Sequence, residues 1–199
     1  MKLASNHVNR LIVIIDMCVD AASRTLSKSL KTAAVIKVTN TAVRDVCEVT
    51  EKLNEDEREM VASLLTLNGT GNGKVLFMVE KKDAYILNDL YLGAPVGTTK
   101  EYDAVVESVI QEIGNVLSGA ISNSLATDLG LTILPTPPLV TCDFAGTIFS
   151  AMIMDDMMDG DELILMDTVF EIMHYNFNCY FYLIPGTKII EKLDQEHLI

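Results

Sequence analysis

Two long stretches of helical periodicity, each followed by β-branched extended text, lie in this chain about one hundred residues apart. From Val8 to Leu30 the residues Leu11, Ile12, Ile15, Cys18, Val19, Ala22 and Leu26 recur at three- and four-residue spacing, which predicts an amphipathic helix. From about Tyr102 to Leu129 the same spacing runs through Val105, Val106, Val109, Ile113, Val116, Leu117, Ala120 and Ser124. Each helix must bury its apolar stripe, and strands after each give that stripe a sheet to pack on. With Leu26 set on Leu125, an offset of 99, Ile14, Ala21, Ser23 and Leu30 fall on Ile113, Ala120, Ser122 and Leu129. The expected fold is therefore α+β, with pseudo-twofold helix-strand units over approximately residues 7–98 and 102–199. They share one antiparallel sheet with both long helices packed on it, as a single domain over residues 1–199.

The text between the helices fills in the strands. Ala33–Val49 alternates and is rich in Val, Ile and Thr, as a half-buried strand is. Leu53–Glu59 is charged and reads as a solvated loop or short helix. Met60–Leu67 and Lys74–Glu80 read as strands joined by Asn68-Gly-Thr-Gly-Asn-Gly73. A phosphate cradle needs a helix after its glycines, and a strand follows here, so this run is a hairpin turn. A helix over Asp83–Leu92 closes the first half before Gly93, Pro95 and Gly97. After the second long helix come a Pro-rich extended stretch, further strands and a last helix from Lys188.

Composition narrows the function. Lys and Arg number 15 against 28 Asp and Glu, a formal net charge of -13, which argues against nucleic acid and anionic membranes as partners. Hydrophobic residues make up 49% and charged residues 22% of the 199, a folding composition that buries roughly 70% of the unfolded surface. Cys18, Cys47, Cys142 and Cys179 are widely spaced, without a C-x-x-C pair, and read as reduced thiols in the cytoplasm rather than as disulfides or zinc ligands. Leu11–Ile15 is closed by Asp16 and is too short for a secretory core, and no apolar run approaches the roughly 20 residues of a membrane span.

On the second long helix Ser108, Glu112, Asn115, Gly119 and Ser122 form a stripe opposite the apolar residues. Glu112 and Asn115 are its long members, and residues three apart on a helix stand about 5–6 Å from each other. A bare Glu-x-x-Asn is common on solvated faces and means nothing alone. Here Ser108-Val-Ile-Gln-Glu-Ile-Gly-Asn115 is followed, about 20 residues on, by Pro135-Thr-Pro-Pro138. This combination resembles the signature of the CheC/CheX/FliY family of chemotaxis phosphatases: Asp or Ser, then Glu, then Asn, then a proline met here by Pro137 and Pro138. The resemblance extends through Leu92-Gly-Ala-Pro-Val-Gly-Thr98, Glu112–Ala120, Leu129-Gly-Leu-Thr132 and Cys142-Asp-Phe-Ala-Gly146. Its N-terminal half matches mainly in Thr25-Leu-Ser-Lys28 and in element order.

The resemblance implies a CheC-like fold and a hydrolase that removes the aspartyl phosphate of a CheY-type response regulator in chemotaxis signalling. It assigns catalysis to Glu112 and Asn115, with Ser108, Pro137 and Pro138 as supporting motif residues. It implies no cofactor or metal bound by this chain, Mg2+ being carried by the regulator, and a CheD-type receptor deamidase as a further partner. The rival expectation is a non-catalytic binding or scaffold protein of the chemotaxis or flagellar switch pathway. Family members commonly carry two sites, and at the offset of 99 Asn9, Val13 and Asp16 stand where Ser108, Glu112 and Asn115 stand. Valine cannot form the ion pair and aspartate cannot donate a carboxamide hydrogen bond, so the first helix reads as a dead site. Other clusters carry less. Asp155–Glu162 has Met157 and Met166 where a calcium loop needs ligands, Met152, Met154, Met157 and Met158 read as core or as a soft contact surface, and His7, His174 and His197 form no triad.

Overall fold

Helices and strands alternate in the same order twice along the chain. In the computed structural model, which describes residues 5–153 and 161–195, the first half contains α1 (Ser5–Leu30), β1 (Ala34–Asp45), α2 (Val46–Asn54), β2 (Glu59–Gly69), β3 (Gly73–Glu80) and α3 (Lys81–Leu92). The second contains α4 (Ala104–Leu129), β4 (Ile133–Pro135), β5 (Leu139–Phe144), α5 (Ala145–Ile153), β6 (Glu162–Ile172), β7 (Tyr175–Pro185) and α6 (Thr187–Gln195). Helices α1 and α4 have 26 residues each, and α2 and α5 have 9 each. The offset of 99 brings the start of each pair into register.

All strands belong to one antiparallel sheet in the order β1-β6-β7-β3-β2-β4, with β5 also on β2. Each half lends its first strand to the other half's hairpin. β1 pairs with β6, from Ala34 opposite Ile172 to Asp45 opposite Glu162, while β5 pairs with β2, from Leu139 opposite Leu64 to Phe144 opposite Glu59. The hairpins meet at the centre, where β3 lies beside β7. The Asn68–Gly73 turn joins β2 to β3 as the glycines imply, and Gly69 adopts φ 106°, open to glycine at no steric cost.

Both faces of the sheet are covered. α1 and α4 bury Leu11, Ile15, Leu26, Ile110, Ile113 and Leu125 against Val61, Phe77, Ile164 and Phe181 on one face. α2 and α5 bury Val46, Val49, Ile148 and Phe149 against Met60, Met78, Leu163 and Tyr182 on the other. This second helical layer corrects the sequence reading, which ran a strand through Val49 and gave strands to the Ala145–Ile153 region. The strand stops at Asp45 because its carboxylate accepts from the Cys47 amide at 2.8 Å and caps the new helix. The charged run after it closes as a tight turn, with Arg58 on Asp56 at 2.9 Å. The buried face of α4 is also rotated from the expected one. Ile110, Ile121 and Ser122 are buried, whereas Val105 is 46% exposed. The acidic Asp155–Gly160 segment with Met154, Met157 and Met158 lies outside the described residues. Met152 is core, and His174 sits exposed at the β6–β7 turn against Tyr175.

The link between the halves is anchored by one buried acid. Gly93 ends α3 in the left-handed conformation, φ 68°, and the chain then wraps Asp89, which is 1% exposed. Its carboxylate accepts from the amides of Gly97 (2.7 Å), Thr98 (3.0 Å) and Thr99 (3.0 Å) and from the Thr99 hydroxyl (2.5 Å). Burial alone would raise its pKa, but these four donors outweigh that and hold it below the ordinary 3.8. Four charge-assisted bonds to one carboxylate fix the entry to α4. Asp103 then caps that helix through the amides of Val105 (2.9 Å) and Val106 (3.0 Å). Replacement of Asp89 by Asn is expected to cost about 2–3 kcal/mol at neutral pH, because a carboxamide cannot satisfy four donors. Because the folded pKa is depressed, the carboxylate's contribution is full above the unfolded value and fades as pH falls below 3.8. Urea melts of wild type and Asp89→Asn from neutral to acid pH should therefore converge in acid. A constant difference would contradict this.

Candidate functional site

Helix α4 presents its polar stripe to solvent. Ser108, Glu112 and Asn115 are all exposed, and their spacing of four and three residues aligns them on one face. Ser108 spends its hydroxyl on its own helix, donating to the Ala104 carbonyl at 2.8 Å. Among the described residues, neither the Glu112 carboxylate nor the Asn115 side chain pairs with another group. Both are thus available to a second molecule. Gly119 continues the stripe, but Ser122, expected on it, is 2% exposed and faces inward.

The prolines hold the other flank. Pro137 is exposed and Pro138 is buried, and neither has an N–H for a sheet ladder. They split the second half's first strand into β4 and β5, where β1 continues with only a bulge between Val38 and Asn40. The gap is closed by Thr136, whose amide donates to the Thr66 carbonyl at 2.9 Å and whose hydroxyl accepts from the Thr66 amide at 3.1 Å. The freed Pro138 carbonyl accepts from Gln111 Nε2 at 3.1 Å, tying α4 to the break one residue before Glu112.

Gly114 sets the depth of the helix. A Cβ there would overlap the Ser63 hydroxyl on β2, would lie 3.0 Å from Ser63 Cβ and would touch Pro138 Cβ at 3.6 Å. Ser63 is fully buried, and its Oγ has no hydrogen-bond partner. It is tolerated as a small side chain under a helix that comes unusually close. Sequence reasoning passed over Gln111, Gly114 and Ser63. A glycine in mid-helix, which costs about 1 kcal/mol relative to alanine, was the available signal.

The first helix has no matching arrangement. Asn9 is exposed, and Val13, at the position matching Glu112, exposes 58% of its surface, with Met17 beside it exposing 51%. Asp16 belongs to α1, but its side chain lies outside the described set. Ile15 occupies the position matching Gly114. The strand registers match Met166 to Ser63, since Met166 pairs with Thr41 of β1 as Ser63 pairs with Val140 of β5. Both Ile15 and Met166 are buried and line a small apolar cavity of about 30 Å³ between α1, α4 and the sheet.

Among the described residues no helix is long and apolar enough to cross a membrane. Gly114→Ala is expected to cost about 1–3 kcal/mol, although alanine is ordinarily the better helix former, because the added methyl collides with Ser63. Ser63→Ala alone should be nearly neutral, since it removes an unsatisfied hydroxyl. In the double variant it should recover part of the loss. Additive effects in urea melts would show that the two residues do not set the helix depth.

Comparison with known proteins bears on the same segment. Residues 105–141, which span Ser108, Glu112, Asn115, Pro137 and Pro138, match the CheC-like family. The CheY-P phosphatase CheC of Bacillus subtilis (strain 168) is 29% identical over 93 residues, covering 46% of this chain and 44% of that protein, less than half of either. In fold, the FliY structure of Thermotoga maritima superposes with a TM-score of 0.77 at 20% identity, over 98% of this chain and 97% of that one. The FliM middle domain of H. pylori superposes with a TM-score of 0.71 at 12% identity, over 97% and 99%. This chain is thus similar to the CheC-like family across residues 105–141 and shares its overall fold with FliY and the FliM middle domain.

Proposed function

We propose that this protein hydrolyses the aspartyl phosphate of a CheY-type response regulator, using Glu112 and Asn115. The observation that carries the reading is the pair itself: two unpaired polar side chains side by side on the solvent face of a helix anchored by Gly114 and Gln111. Such a surface suits a reaction in which the second protein brings most of the chemistry. In this reading the regulator supplies the acyl phosphate, a lysine and Mg2+, and no cofactor is held by this chain.

The protein's contribution is position. The Asn115 carboxamide carries an acceptor and two donors on one plane, so it can hold a water in line with the phosphorus–oxygen bond. The water oxygen bonds to phosphorus, the bond to the regulator's carboxyl oxygen breaks, and the carboxylate leaves with the electron pair. Inorganic phosphate departs with the water's oxygen. A loose phosphoryl transition state asks for alignment more than for a strong base. Glu112, unpaired in the free protein, forms an ion pair with the regulator's lysine and fixes the docking register.

Two variants test the reading by following the loss of label from phosphorylated regulator. Asn115→Ala should lower kcat by about 10²-fold or more, as removal of one positioning group does, with an unchanged circular dichroism spectrum. Glu112→Ala should act through KM at least as much as through kcat, since it removes binding made before the transition state. Hydrolysis at the wild-type rate by Asn115→Ala overturns the assignment. The fold shared with the FliM middle domain supports a second reading, a non-catalytic component of the flagellar switch or a scaffold. In that case wild-type protein binds its partner while the regulator loses phosphate no faster than alone.

A further inference from the structure

On the opposite face of the sheet from α4, a cavity of about 280 Å³ opens between α2 and strands β1, β6 and β7. It lies near the lower end of the range for small-molecule sites, which run from about 300 to 1,000 Å³. Its floor contains Tyr182, which is 3% exposed and lines the cavity, yet whose hydroxyl hydrogen-bonds to none of the described residues. The ring is buried while the hydroxyl opens onto the cavity, where it can donate to a bound group. Tyr180 beside it accepts from Arg58 Nη1 at 3.3 Å and keeps its own proton free to donate.

The mouth has unspent donors as well. Arg44, at the end of β1, gives one N–H to the adjacent Val43 carbonyl at 3.0 Å, and among the described residues it meets no carboxylate. Lys52, in the last turn of α2, is exposed and likewise forms no ion pair there, although Glu48 lies one turn before it. The acids deeper in the cavity are engaged. Asp56 is held by Arg58 at 2.9 Å and Asp167 accepts from Asn40 at 2.9 Å. Arg44, Lys52 and the Tyr182 phenol are thus donors around this space that no carboxylate among the described residues takes up, with Glu48 the unpaired acid among them.

We propose that this cavity binds a small organic oxyanion, a carboxylate or a phosphate monoester, held by Arg44 and Lys52 at the mouth and by the Tyr182 hydroxyl at the floor. The charged groups supply attraction and the phenol supplies direction. Glu48 and Asp167 are the cavity carboxylates without a cation partner among the described residues, and both oppose the ligand. The site is independent of Glu112 and Asn115, which face solvent on the other side of the sheet.

The test uses the full chain, with isothermal titration and thermal-shift measurements against succinate and glycerol phosphate at matched ionic strength, and sodium chloride as control. Saturable binding of either compound is expected, and which one binds identifies the oxyanion class. Arg44→Gln and Lys52→Gln, both surface changes, should each weaken binding about tenfold or more. Tyr182→Phe should weaken it about fivefold while leaving the ligand-free protein at least as stable, because it deletes only an unpaired hydroxyl. Glu48→Gln should tighten binding, whereas a site for a cation would lose affinity. No saturable binding of either compound overturns the proposal, as does equal binding by wild type and the Arg44→Gln and Lys52→Gln variants. Wild-type affinity in Tyr182→Phe removes the phenol from the site and overturns the assignment as stated.

Discussion

The exchange of first strands between the two halves is the constraint on which the rest of the molecule depends. β1 reaches across to β6, and β5 reaches across to β2. Neither half can complete its own sheet, so the central β3–β7 pairing and the outer strands are satisfied only together. The exchange also places α1 and α4 on one face, with the start of α1 beside the end of α4, where Arg10 donates to the Asp128 carbonyl at 3.5 Å. Most of the sheet pairing thus joins residues far apart in sequence. Such a topology defers its stabilising contacts until long loops have closed, while the short connection between the halves is anchored on Asp89.

The site inherits its geometry from that sheet. β5 is held on β2, the proline break interrupts it beside α4, and Gln111 and Gly114 seat the helix against the break and against Ser63. The rigid part of the site is therefore its floor, made of backbone contacts and small side chains. Above it Glu112 and Asn115, the pair the proposed reaction uses, project into water. A surface of this kind gains nothing from burial and acquires a low-dielectric setting only when a partner covers it.

Much of this was legible in the sequence because it depends on periodicity. The 3.6-residue pattern places α1 and α4 within a few residues of their ends, and the glycine-rich run Asn68–Gly73 can only turn. The Glu112–Asn115 spacing puts both residues on one exposed face. The missed features are tertiary. α2 and α5 are short helices whose residues, Val46, Val49, Ile148 and Phe149, become apolar faces only against a sheet surface the sequence does not display. β-branched residues before and within them resemble strand, and only the Asp45 cap, a single hydrogen-bonding side chain, divides β1 from α2. The rotation of α4 escaped for a related reason. Ser122 reads as a polar-face residue by type, yet it is buried with Gly114 and Ser118 because small size lets the helix approach.

The asymmetry between the two long helices follows from the same close packing. Beneath α4 stand Gly114 and Ser63. At the matching places beneath α1 stand Ile15 and Met166, two large side chains that fill most of the interval and leave a small apolar void. A helix resting on Ile15 cannot sit at the depth Gly114 permits, since packed interiors accommodate an added methylene only by displacement. β1 has no proline break and so frees no carbonyl of the kind Gln111 takes on the other side, where Ile12 is the counterpart. Val13 in the place of Glu112 thus accompanies a differently packed seat. Restoring Glu and Asn on α1 would recreate the side chains without the depth that presents them, so the two halves differ in their packing as well as in their motif.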